Sequence, residues 1–132
     1  MTRINVVPVE ELSDNFLMAE YFELPRLYPL IIKAAQRDDR EIPAEYLMGE
    51  GHMRFFYNKL SYLFQRHNKL QLEGIKRQLK LVIDPKVQMP TELALRNLNS
   101  WWWGDYKPTP EAIQLNRDRL ALRHRTVGGV YT

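Results

Sequence analysis

At 132 residues, with 45% hydrophobic side chains and no cysteine, the chain has the size and composition of one globular domain spanning residues 1–132, long enough to bury a core without a disulfide or metal staple. The missing cysteine excludes disulfides, thiolate nucleophiles and cysteine metal sites, and no stretch approaches the roughly 20 apolar residues of a membrane helix or the pattern of a secretion signal, so a cytoplasmic location is expected. The net charge of +3 is split unevenly: residues 1–50 carry five Lys/Arg against ten Asp/Glu, and residues 51–132 carry fourteen against six, which points to one basic face and an anionic partner, nucleic acid being the commonest.

From Asp14 to about Arg37 the apolar residues Leu17, Tyr21, Leu24, Tyr28, Ile31 and Ile32 recur at helical spacing. Ser13 or Asp14 caps this helix, and Pro25 and Pro29 predict a kink in its second half. Pro43–Tyr46 reads as a short helix stopped at Gly49-Glu50-Gly51. Met53–Leu81 reads as one long helix with Phe56, Leu60, Leu63, Phe64, Leu70, Ile75 and Leu79 on its apolar side; Arg66, Lys69, Lys76, Arg77 and Lys80 make it basic. Asp84-Pro85 and Met89-Pro90 mark a loop, and Thr91-Glu92 cap a short helix through Leu98. Trp101-Trp102-Trp103 follow, Trp102 reading as a core plug and a neighbour as facing solvent or DNA. Pro108 to about Arg125 is a third long helix, opened by Thr109 with Pro110 at its first position. Strand signals are nearly absent. The expected fold is a single all-α domain of three main helices.

The usual catalytic inventories fail here. His52, His67 and His124 are too dispersed for a helical zinc pair, no acidic cluster has metal spacing, and neither a nucleophile elbow nor a phosphate-cradling glycine loop is present. No cofactor is expected, and His52 beside Gly51 reads as structural. One nucleophile remains. Thr2 is small enough for Met1 to be removed ahead of it, which frees an α-amine with a pKa near 7.7–8.0, against about 10.4 for lysine. The neighbouring cation of Arg3 lowers that value further. Such an amine can attack a sugar C1′ and form a Schiff base.

Three ordered blocks carry a family resemblance. The first is Met1-Thr2-Arg3-Ile4-Asn5 with Leu17-Met18-Ala19-Glu20-Tyr21 and Glu23-Leu24-Pro25-Arg26. The second is Leu47, Gly49, Gly51-His52, Phe55-Phe56-Tyr57 and Lys59-Leu60; the third is Gly104-Asp105-Tyr106, Pro108 and Arg119-Leu120. Together they resemble the phage-type pyrimidine dimer DNA glycosylase/AP lyase family. The resemblance implies that the N-terminal segment packs between the helices and that the Thr2 amine attacks C1′ of a cis-syn cyclobutane pyrimidine dimer. Glu23 matches the family's essential carboxylate, which stabilises the developing sugar cation and assists the proton transfers of β-elimination. Arg3, Arg26, Arg119 and Arg123 match residues that hold DNA phosphates, and the implied partner is lesion-bearing double-stranded DNA, bent and with a base flipped, bound by a monomer.

The chain departs from the family pattern at three places. Phe16 stands where the family has a histidine and Phe22 where it has a DNA-contacting arginine, and the family's tyrosine-rich tail is reduced to Thr126–Thr132. Excision of another damaged base, or DNA binding without catalysis on the same scaffold, are the alternative readings.

Overall fold

The computed structural model describes residues 3–81 and 85–126, the side chains of 85–90 and 124–126 excepted. Among the described residues the secondary structure is helical, with no strand beyond one isolated bridge between Lys59 and Trp103. Among them, too, no helix is long and apolar enough to cross a membrane.

The first helical arm forms as its spacing implies, and it breaks at Pro25. The Ser13 hydroxyl accepts from the Phe16 N–H (3.2 Å), capping α1 (Asp14–Glu23). Pro25 turns Leu24–Arg26 into a 3-10 segment before α2 (Leu27–Gln36) resumes, while Pro29 sits in the first turn of α2 without interrupting it. The expected helix at 43–46 does not form. Four residues are too few to nucleate one, and Tyr46 is drawn into the core instead.

The second arm is shorter than its apolar pattern. A 3-10 turn, Arg54–Phe56, precedes α3 (Leu60–Lys76). Residues 58–61 are fastened to the tryptophan segment: the Gly104 N–H donates to the Asn58 carbonyl (3.0 Å) and the Ser61 hydroxyl to the Trp103 carbonyl (2.7 Å). That approach requires glycine, since a Cβ at 104 would lie 2.5 Å from the Asn58 oxygen. At the other end Gln78 takes a left-handed backbone (φ 62°), and the Leu79 N–H donates to the Gly74 carbonyl (2.9 Å). This closes α3 five residues before Leu81, whose side chain folds back onto Gly74.

Where a loop was expected at residues 84–90, α4 (Pro85–Arg96) already begins at Pro85. A proline at a first helical position loses only a donor with no intrahelical partner, and Pro90 removes a single further bond. The last arm is as read: α5 (Pro110–Thr126) opens on Thr109, whose hydroxyl accepts from the Ala112 N–H (3.0 Å). Trp102 is a core residue, as expected. Trp101 is half-buried beneath the Arg40 guanidinium (4.8 Å to the ring centre), and Trp103 donates to the Leu95 carbonyl (3.1 Å).

Helix α1 packs on α3, and α2 on α4. The N-terminal segment is interior: Ile4, Val6, Val7 and Val9 are buried among Leu17, Leu24, Leu60 and Leu63. Each such aliphatic contributes about 1.5–3 kcal/mol by leaving water. The segment from Ile4 to Val9 is therefore held largely in the core.

Candidate active site

Residues 4–7 belong to no helix or sheet, yet they are buried. Buried backbone groups need partners, and here side chains from distant elements supply them. The Ile4 N–H donates to His52 Nε2 (2.8 Å), and the Tyr46 hydroxyl donates to the Ile4 carbonyl (3.0 Å). Asn116, fully buried in the middle of α5, accepts from the N–H groups of both Val6 (2.7 Å) and Val7 (3.1 Å). Its Nδ2 donates to Asn5 Oδ1 (2.8 Å), and Asn5 Nδ2 donates to Glu20 Oε1 (2.8 Å). Arg66 of α3 grips the same carboxylate through Nε (2.8 Å) and Nη2 (3.0 Å) and donates through Nη1 to the Val7 carbonyl.

The sequence reading placed His52 as structural, and the geometry agrees. Its Nδ1 lies 2.8 Å from the Leu47 carbonyl. Because Nε2 accepts from Ile4, the ring is neutral with its proton on Nδ1, donated to Leu47. Burial holds its pKa below the usual histidine value and Arg3 adds to this, while the Leu47 carbonyl and Glu20 oppose it. A turn with positive φ at Gly49 (80°) and Gly51 (89°) delivers the ring to this spot.

Beside this buried network opens a cleft. Arg3 and Asn5 form part of its wall; α1 contributes Phe16, Glu20 and Glu23, and α5 contributes Arg119 and Arg123. The two carboxylates lie three residues apart on one helix but differ in occupancy. Glu20 is 2% exposed and saturated by Asn5 and Arg66. Glu23 is half-exposed at the last position of α1, and its carboxylate has no hydrogen-bond or ion-pair partner among the described residues. Of the two cleft carboxylates, Glu23 is therefore the one without a partner among the described residues.

The cations of the cleft are crowded. Burial, and after it the charges of Arg119 and Arg123, push the Arg3 pKa below its usual value, with Tyr46 opposing. The buried Nε of Arg119 has no hydrogen-bond partner among the described residues, and an unsatisfied donor costs about 1–3 kcal/mol. An anion bound in the cleft would relieve both strains.

Of the residues expected in the site, Arg3, Glu23, Arg119 and Arg123 come together. Arg26 does not line the cleft; it is exposed on the 3-10 turn beyond α1. Thr2 and residues 127–132 lie outside the described residues. Phe16 lines the cleft, whereas Phe22 is 44% exposed at its own position on α1. The sequence reading missed Asn5, Glu20, Tyr46, Arg66 and Asn116. A signal existed for two of them: Glu20 lies on the apolar face of Leu17 and Leu24, and Arg66 on that of Leu63 and Leu70. A lone acid and a lone base on facing apolar stripes imply each other.

A family model for pyrimidine dimer DNA glycosylases matches residues 1–84. The match takes in the N-terminal segment, both cleft carboxylates and all of α3, while α5 with its arginines lies beyond it. This chain belongs to the pyrimidine dimer DNA glycosylase family, enzymes whose substrate is lesion-bearing DNA.

Proposed function

We propose that the protein is a glycosylase with AP lyase activity, in which the α-amine of Thr2, freed by loss of Met1, is the nucleophile. The supporting observation is that Arg3, the residue next to Thr2, lines the same cleft as the unpartnered carboxylate of Glu23. The amine attacks C1′ of the 5′ nucleotide of a pyrimidine dimer. The glycosidic bond breaks, its electron pair leaves with the base, and the nitrogen loses a proton; its lone pair then opens the C1′–O4′ bond, O4′ taking up a proton, to give the protonated imine. Glu23 stabilises the sugar cation and takes part in these proton transfers. Loss of a C2′ proton then expels the 3′ phosphate, and hydrolysis of the imine returns the free amine. The nucleophile comes from the chain itself, so the chemistry requires no metal ion.

Arg3, Arg119 and Arg123 hold phosphates at the cleft, with Arg26 reaching the backbone farther along the duplex, and a monomer suffices. Bent DNA with a flipped base fits this reading, because a dimer already weakens stacking and so lowers the cost of extrusion. One observation favours a second reading, excision of a different damaged base: the cleft wall carries the apolar ring of Phe16.

Borohydride trapping on an abasic-site duplex tests the mechanism, with mass spectrometry of the adduct. Trapping on Thr2 is the expected result, and a Glu23→Gln variant should bind the duplex normally while losing at least about 100-fold in base excision. Tight binding with no adduct would leave a non-catalytic DNA-binding protein. Parallel excision assays on ultraviolet-dimer and other lesion duplexes decide between the two substrate readings.

A further inference from the structure

We infer that His52 and Asn116 are positioning residues for the reaction: they hold the N-terminal segment in register so that its amine meets C1′ beside Glu23, and the hold requires a neutral His52. This inference rests on the N-terminal-amine reading above. A nucleophile at the start of a chain is ordinarily a mobile group. Here the residues that follow it are fixed at the backbone, Ile4 by His52 and Tyr46, and Val6 and Val7 by Asn116. These holds come from side chains, not from a ladder, so single substitutions can release them without removing a helix. Neither His52 nor Asn116 lines the cleft; both act through the segment they hold. A displacement of about 1 Å at a reacting atom is enough to cost on the order of 100-fold in rate.

The pH sensitivity follows from the geometry at Ile4. A protonated imidazole has no acceptor nitrogen, so His52 cannot carry a proton on Nε2 and keep the bond from the Ile4 N–H. The charged or titratable groups that act on the ring are Arg3, Glu20 and the edge-on Tyr46. Arg3 disfavours the imidazolium and Glu20 favours it, while burial works against it most strongly. The folded-state pKa lies below the ordinary 6.5. The hold is therefore complete above that value and is lost as pH falls beneath it. The amine must also be unprotonated, so wild type should lose activity in proportion to one proton below about pH 8 and to two protons at lower pH.

The test measures single-turnover borohydride trapping from pH 5 to 8.5, alongside duplex affinity and thermal unfolding. Asn116→Ala should trap on the order of 100-fold more slowly, with affinity changed less than about threefold. His52→Ala should behave likewise, and His52→Gln, whose amide oxygen can accept where Nε2 did, should recover most of that loss. The His52→Gln profile should also keep only the one-proton limb. Wild-type trapping at Thr2 combined with unchanged rates in folded variants would overturn the positioning role alone. So would a two-proton limb that persists in His52→Gln. Absence of any wild-type adduct would overturn the amine reading and this inference with it. Should Asn116→Ala fail to fold, the His52→Gln pH profile decides.

Discussion

The two glutamates of α1 show how little of a residue's role lies in its type. Glu20 and Glu23 are one turn apart and line one cleft, yet Glu20 spends its charge on Arg66 and Asn5 while Glu23 keeps its own. Burying the Glu20–Arg66 pair, at 1% and 5% side-chain exposure, leaves neither ion an alternative partner in water. Removing one member of such a pair costs about 3–5 kcal/mol, because the other is left uncompensated. Arg66→Met should therefore lower stability by that amount in urea titration, and it should also free the Val7 carbonyl and loosen the N-terminal segment. A shift below about 1 kcal/mol would show that Glu20 finds other neutralisation. Of the partners of Glu20, 15 and 46 residues away, Arg66 left a trace in the sequence as a lone base on an apolar stripe, whereas Asn5 left none.

At the scale of elements, helical periodicity located the arms and misjudged their ends. Leu17, Tyr21 and Leu24 did mark α1, and Ser13 and Thr109 did cap their helices. The long apolar run to Leu81 overshot because Leu79 and Leu81 are still apolar after the backbone has turned, folding back on α3 without extending it. The signal for that stop is a left-handed residue, and here it is glutamine at position 78, which the usual glycine cue does not flag. The same site gives an element-scale prediction. Gln78→Gly relieves the strained φ of 62° and should stabilise the fold by about 1 kcal/mol or less, read as a higher melting temperature. Gln78→Val should move it the other way, since a branched Cβ tolerates this backbone worst. Prolines misled in the opposite direction at residues 85–90, where two that look like loop punctuation sit inside the first turns of α4.

Across the whole molecule, the charge asymmetry of the sequence becomes spatial. The acidic half contributes the carboxylates of α1, and the basic half supplies Arg119 and Arg123 to the opposite wall of the same cleft. A site that meets a polyanion in this way releases counterions on binding. Affinity for a lesion duplex should fall with log salt at a slope of about −0.9 per phosphate contact, and Arg123→Ala should flatten the slope by nearly one such contact. An unchanged slope in Arg123→Ala would remove that residue from the DNA surface. Charge counting showed the excess of cations in the second half, but it could not say that two of them, Arg119 and Arg123 of α5, line this cleft, after the residues that the family model covers.

The bonds from Val6 and Val7 to Asn116 join positions 110 and 109 residues apart. During synthesis Tyr46, His52 and Arg66 become available to this segment well before α5 does, so the N–H groups of Val6 and Val7 wait for nearly the entire polypeptide before their own anchor exists. Contacts this distant along the chain form slowly, because closing so large a loop has to precede any reward. A nascent or truncated product lacking α5 thus leaves two buried N–H groups unmet, and the fold completes its hold on residues 4–7 only once the last helix is made.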